Sequence, residues 1–195
     1  MKKMYLAALL LGLLGVLAAV PASADTTLYS NGPGNYGLDA WTINYGNSVT
    51  DSFTISQDAT ILGATFDVWA SPGDTLASVD WSIGISQYGG TVTTASTTGA
   101  FVETNAYGYN IYTESFSIPN LSLAAGTYWF TLQNAIVPGG DPIYWDENDG
   151  PSLGYSSSVG SIGDYDAANG YGTGLSGSET FTLTATPEPS SFLLL

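Results

Sequence analysis

The sequence predicts an all-β fold, an antiparallel β-sandwich or jelly-roll-like single domain, and three observations carry that reading. Apolar residues recur at every second position in several short runs. Gly and Pro clusters punctuate the chain between those runs. Beyond residue 24 no window sustains the periodicity of an amphipathic helix. Period-two runs separated by turn residues are the signature of half-buried strands in sheets that cover one another.

The elements follow in order. Phe53 and Ile55 alternate with Ser52 and Thr54, and Ala64, Phe66 and Val68 alternate with Thr65, Asp67 and Trp69, which places an aromatic on the second face too. Val79, Trp81, Ile83 and Ile85 alternate with Asp80, Ser82, Gly84 and Ser86. Tyr128, Phe130 and Leu132 then alternate with Trp129, Thr131 and Gln133, and Phe181, Leu183 and Ala185 with Thr180, Thr182 and Thr184. The expected packed face contains Phe53, Phe66, Val68, Trp81, Ile83, Phe130, Leu132 and Phe181. Turns are expected at Asn31–Gly34, Ser71–Asp74, Tyr88–Gly90, Ala124–Gly126 and Val137–Gly140, where Gly and Pro supply the backbone angles that reversals need. Tyr144–Gly150 is expected to leave the core as an acidic loop. Tyr155–Gly177, rich in Ser, Gly, Asp and Tyr, reads as a long surface loop or a short strand flanked by loops.

Charge narrows the function classes. Lys+Arg is 2 against 17 Asp+Glu, with no histidine and no cysteine. Both cations are Lys2 and Lys3, so everything from Asp25 onward is free of basic side chains. The charge argues against nucleic-acid binding, which rests on Lys and Arg neutralising phosphates, and against docking on anionic lipid. Without histidine the chain lacks the commonest general base and zinc ligand, and without cysteine it has no disulfide, so the core alone must hold the domain. Hydrophobic content of 44% sets the chain apart from disordered sequences.

Residues 1–24 read as a secretory signal peptide with a helical centre. Lys2 and Lys3 form the positive end, Leu6–Val20 the apolar stretch, and Ala22-Ser23-Ala24 the small-residue cleavage site, with Ala22 and Ala24 as its determinants. An uncleaved N-terminal anchor is the alternative. The domain then spans 25–186. At 187–195 comes Pro187-Glu188-Pro189, followed by two serines and the apolar Phe192–Leu195. The prolines end regular pairing, and the apolar run is far shorter than the roughly 20 residues that span a bilayer. This tail resembles the sorting signal of bacterial exported proteins of the PEP-CTERM family. In that family the triplet precedes a membrane helix and a basic cluster, here expected beyond Leu195. The resemblance implies handling by signal peptidase and an exosortase, transient membrane attachment through the C-terminal segment, and a final place at the cell-envelope surface or outside the cell. The segment Leu121–Leu132 is likewise similar to the penultimate hairpin of secreted bacterial β-sandwich domains that often carry such tails. A chance triplet in a tail is the plainer alternative.

Three kinds of chemistry are open to the domain. Glu103 and Glu114, with Asp146 and Glu147 as alternates, are candidate glycosidase carboxylates, which must stand about 5 to 10 Å apart. Asp141, Asp146, Glu147, Asn148 and Asp149 offer hard oxygen ligands for calcium, with Asp164, Asp166 and Asn169 as a looser second set; neither follows EF-hand spacing, and solvated acidic turns are the alternative. Trp129 and Trp145 are candidate stacking platforms for a neutral polysaccharide, against the alternative that the tryptophans pack the sandwich. The expected role is non-catalytic, structural or binding, with a carbohydrate-binding module next and a glycosidase third.

Overall fold

The computed structural model describes residues 25–158, 161–166 and 177–186. The expected signal peptide and the Pro187-Glu188-Pro189 tail lie outside the described residues. Fourteen strands and no helix occur among those described, arranged as two antiparallel sheets that face each other across one core.

The larger sheet is organised around β4 (Ala59–Ala70), twelve residues long. One edge of β4 pairs along its length with β8 (Asn110–Leu123), which carries β7 (Thr98–Thr104) on its far side. The other edge of β4 is shared. Its first half pairs with β14 (Phe181–Thr186) and its second with β10 (Ile143–Asn148). Beyond these, β1 (Thr26–Ser30) flanks β14, while β2 (Ala40–Thr42) and β13 (Ser178–Glu179) both pair with β10. The second sheet runs β12 (Ser161–Asp166), β11 (Gly154–Ser158), β3 (Asn47–Ile55), β9 (Gly126–Ile136), β5 (Ser78–Gly84) and β6 (Thr93–Ser96).

Register follows the hydrophobic alternation, because a slip of one residue would turn every apolar side chain to solvent. Phe130 stands opposite Asp51 on one side and Ile83 on the other, and Phe66 stands opposite Phe181. All eight residues of the expected packed face are buried. Where the sheets meet, Phe66, Phe130, Trp145 and Phe181 interlock with ring centroids 5.3 to 6.2 Å apart. Tilted and edge-on contacts of this kind suit the ring quadrupoles.

Three expectations are corrected. The run Val79–Ile85 stops at Gly84, and Ile85 is 84% exposed. The turn that follows folds back over the strand so closely that a Cβ on Gly84 would meet the Gly89 carbonyl carbon at 2.5 Å, while Gly90 takes φ 97°. That reversal leaves no room for the strand to continue. Tyr144–Gly150 is no acidic loop, because Ile143–Asn148 is a strand held between β4 and β2. Of Tyr155–Gly177, expected as a long loop or one short strand flanked by loops, the described part supplies two paired strands, β11 and β12.

Candidate functional site

The strand pattern that builds the core also drives acids into one end of it. In β3, Val49, Asp51, Phe53 and Ile55 share the inward face, so the alternation that buries Phe53 buries Asp51 as well. In β10 the inward set is Ile143, Trp145 and Glu147, and in β13 and β14 it is Glu179, Phe181, Leu183 and Ala185. Glu147 and Glu179 are direct register partners. Gly154 of β11 is the register partner of Asp51, and a Cβ there would stand 3.0 Å from Glu179 Oε1. The Glu179 carboxyl therefore lies over Gly154, beside Asp51, in space that any larger residue at 154 would fill.

Polar neighbours supply only part of what these acids need. Asp51 Oδ2 accepts from Glu179 N at 2.6 Å, Asn31 Nδ2 at 2.9 Å and Ser178 Oγ at 3.4 Å. Asn31 Nδ2 also reaches Ser152 Oγ and the Glu179 carbonyl, and Ser152 and Ser178 share a hydrogen bond at 2.8 Å. Asp51 Oδ1 and both carboxyl oxygens of Glu179 are buried without a hydrogen-bond partner. Burial outweighs the hydrogen bonds and pushes the Asp51 carboxyl up to about 7. Glu179 is raised well above the usual range, by burial first and then by the charges of Asp51 and Glu147. A cleft of about 420 Å³ lined by Ser30–Asn35 and Asn148–Pro151 opens beside this cluster, with Asn31 as a shared wall.

The calcium candidates of 141–149 do not converge, because a strand sends alternate side chains to opposite faces. Asp146 points outward and is saturated: Tyr36 N, Asn35 N, Trp69 Nε1 and Thr180 Oγ1 all donate to it, at 2.5 to 3.2 Å. Burial still raises it to about 6. Glu147 points inward and accepts from Trp41 Nε1 at 3.1 Å. Asn148 spends its amide on the Asn31 and Pro33 carbonyls. Asp141 and Asp149 are exposed on the flanking loops. The five residues thus do not gather into one loop: Asp146, Glu147 and Asn148 lie in a strand, and only Asp141 and Asp149 stand in solvated loops. Among the described residues no three acidic side chains form a ready metal cage. Asp164 and Asp166 fall in β12, and Asn169 lies outside the described residues.

The carboxylates considered for glycosidic cleavage are also separated. Glu114 is the register partner of inward-facing Phe66, whereas Glu103 pairs with Ile111, which stands opposite outward-facing Trp69. The two carboxyls thus leave the sheet on opposite sides.

Of the two stacking candidates, Trp145 is fully buried, its indole donating to the Thr180 carbonyl at 2.7 Å, and it presents no face to a ligand. The reason is its inward parity on β10, invisible while the segment is taken for a loop. Trp129 lies half-buried on the outer face of the second sheet, edge-on to Tyr155 at 5.6 Å. A larger aromatic surface, not anticipated, occupies the outer face of the first sheet. Trp69 is stacked by Tyr107 (5.7 Å, 22°) and flanked by Tyr109, which meets Tyr144 edge-on at 5.6 Å. Tyr107 is 62% exposed. The supporting loops are tightly fixed. Asn105 Oδ1 accepts from the Tyr107 and Tyr109 amides, and the Tyr36 hydroxyl donates to Asp67. Tyr36 holds φ 57°, a left-handed backbone unusual for an aromatic, secured by its amide's bond to Asp146. The second-face Trp69 in the β4 pattern was the one sequence signal for this surface. No family model matches the chain, and no curated protein matches it either.

Proposed function

We propose that the chain is an exported β-sandwich of the cell surface or extracellular matrix, sorted by an exosortase-type system, with a non-catalytic structural or binding role. The observation that carries the non-catalytic part is the disposition of its acids. Asp146 is saturated by donors, Glu179 is sealed inside, and Glu103 and Glu114 diverge, so among the described residues the carboxyls considered for cleavage form no pair across an open cleft. Export rests on the leader and the Pro-Glu-Pro tail. Mass spectrometry of protein secreted from a host with an exosortase is expected to give an N-terminus at Asp25 and to lack the apolar tail. An intact Met1 on the mature form would count against this reading.

The tyrosine face favours a second reading, binding of a neutral polysaccharide. An exposed ring held parallel to a tryptophan is a rigid apolar platform for a sugar ring, and the acidic surface repels acidic polymers. In affinity electrophoresis through neutral glucans, Tyr107→Ala is expected to weaken retention roughly 3- to 10-fold, the equivalent of about 0.5–1.5 kcal/mol for one stacking contact. Trp129→Ala is expected to leave it unchanged. The reverse pattern would move the platform to the second sheet, and retention unchanged in both variants would remove this reading.

A further inference from the structure

We propose that Asp51 and Glu179 form an internal divalent-cation site, suited to calcium, that ties the two sheets together at the acidic end of the core. The two carboxyls come from facing sheets and lie side by side above Gly154. Three of their four oxygens, Asp51 Oδ1 and Glu179 Oε1 and Oε2, are buried and bond to nothing. Glu179 is fully enclosed, at 0% exposure. Leaving charged oxygens in this condition costs far more than any single contact returns, so the pair either keeps its protons or takes up a compensating positive charge.

The chain itself has none to give. With Lys2 and Lys3 in the leader and no Arg or His, no side chain from Asp25 onward is cationic. Proteins commonly answer a buried carboxylate with Arg or Lys, and here that answer is absent throughout the domain. Where the pair is ionised, the compensating charge has to come from solution. The oxygens on offer are hard ones, two carboxyls with the Ser152 and Ser178 hydroxyls beside them, and there is no nitrogen or sulfur ligand. That set suits calcium, which accepts 6 to 8 oxygens in flexible geometry, better than zinc or copper. Asn31, which donates to Asp51, also lines the cleft at the surface, so one side chain separates the pair from solvent there. Gly154 leaves room beside the Glu179 carboxyl, since a Cβ there would stand only 3.0 Å from Oε1. Two carboxylates, the rest of the shell being neutral oxygens, place the affinity in the weak range of extracellular modules, about 10⁻⁴–10⁻³ M.

The test is a titration of the purified protein with calcium, followed by melting and by tryptophan-sensitised terbium luminescence. At about 100 times the dissociation constant, calcium is expected to raise Tm by roughly 5 to 10 °C over chelator. Glu179→Gln and Asp51→Asn are each expected to abolish the increase and the luminescence, while Glu179→Gln in chelator melts above the unsubstituted protein because a buried charge is gone. Asp149→Asn, on the exposed loop, is expected to keep the full response. The site is overturned if Tm and terbium luminescence do not respond to the metals, if the response survives both core substitutions, or if Asp149→Asn removes it. Should a core variant fail to fold, the unsubstituted protein against Asp149→Asn still decides.

Discussion

Phe130→Ala is expected to destabilise the protein by about 3–5 kcal/mol, the largest effect of any single side chain considered. Phe130 is completely buried near the middle of β9. Its ring lies 5.3 Å from Phe181 and 5.5 Å from Trp145 on the opposite sheet, and 6.4 Å from Phe116. Truncation removes the ring's burial and leaves a cavity that three rigid aromatics on strands cannot collapse to fill. No disulfide backs up the core, because the chain has no cysteine. Urea unfolding checks this. A midpoint within error of the unsubstituted protein would mean that the sheets do not meet at Phe130.

In buffer with chelator, the protein is expected to be more stable near pH 4–5 than near pH 8, the opposite of most domains. Among the described residues every shifted carboxyl is shifted upward. Burial raises Asp51 from 3.8 to about 7, Asp146 from 3.8 to about 6 and Glu147 from 4.5 to about 6, and it also raises Asp67, Glu114 and Glu179. A carboxyl that keeps its proton more tightly when folded than when unfolded favours the folded state fully below its unfolded pKa. That advantage is lost as pH rises through the folded pKa. The window therefore runs from about pH 4 to about pH 7. Asp51 alone is worth roughly 4 kcal/mol across it, at about 1.4 kcal/mol for each tenfold change in proton affinity. The usual compensating case, a carboxylate held low by Arg or Lys, does not arise in a domain without cations. Thermal melts from pH 4 to 8 test the sign. A Tm that climbs with pH would mean that water or ions reach these acids in the folded state.

Much of this architecture was legible from the residues alone, and the parts that were not share a cause. Phe53, Phe66, Trp81, Phe130 and Phe181 declared their face by alternating with Ser, Thr and Asp, and all are buried. The alternation holds because a sheet with one dry face imposes a period of two on whatever chain builds it. β10 hid itself for a related reason. Ile143 and Trp145 keep the alternation, but Asp146, Glu147 and Asn148 follow them, and three polar residues in a row read as a loop. Local composition could not reveal that donors from four other positions, Asn35, Tyr36, Trp69 and Thr180, gather around Asp146 and make a strand there tolerable.

The sequence by itself determined the fold class, the main core face and the absence of any cationic side chain beyond Lys3, since these depend on residue type and short-range spacing. It also determined that a buried acid would find no basic side chain from Asp25 onward. Which acids are buried was decided only by the tertiary structure. Asp51, Gly154 and Glu179 are separated by more than 20 residues at each step, and it is the pairing of β3 with β11, and the approach of β13 from the facing sheet, that puts them together. The same holds for the outer tyrosine surface, where Trp69 on β4 meets Tyr107 and Tyr109 from the turn before β8 and Tyr144 on β10. Side-chain parity is a local property of a strand, but the neighbours on each face are chosen by strand order, and strand order is settled by how the whole chain covers its apolar surface.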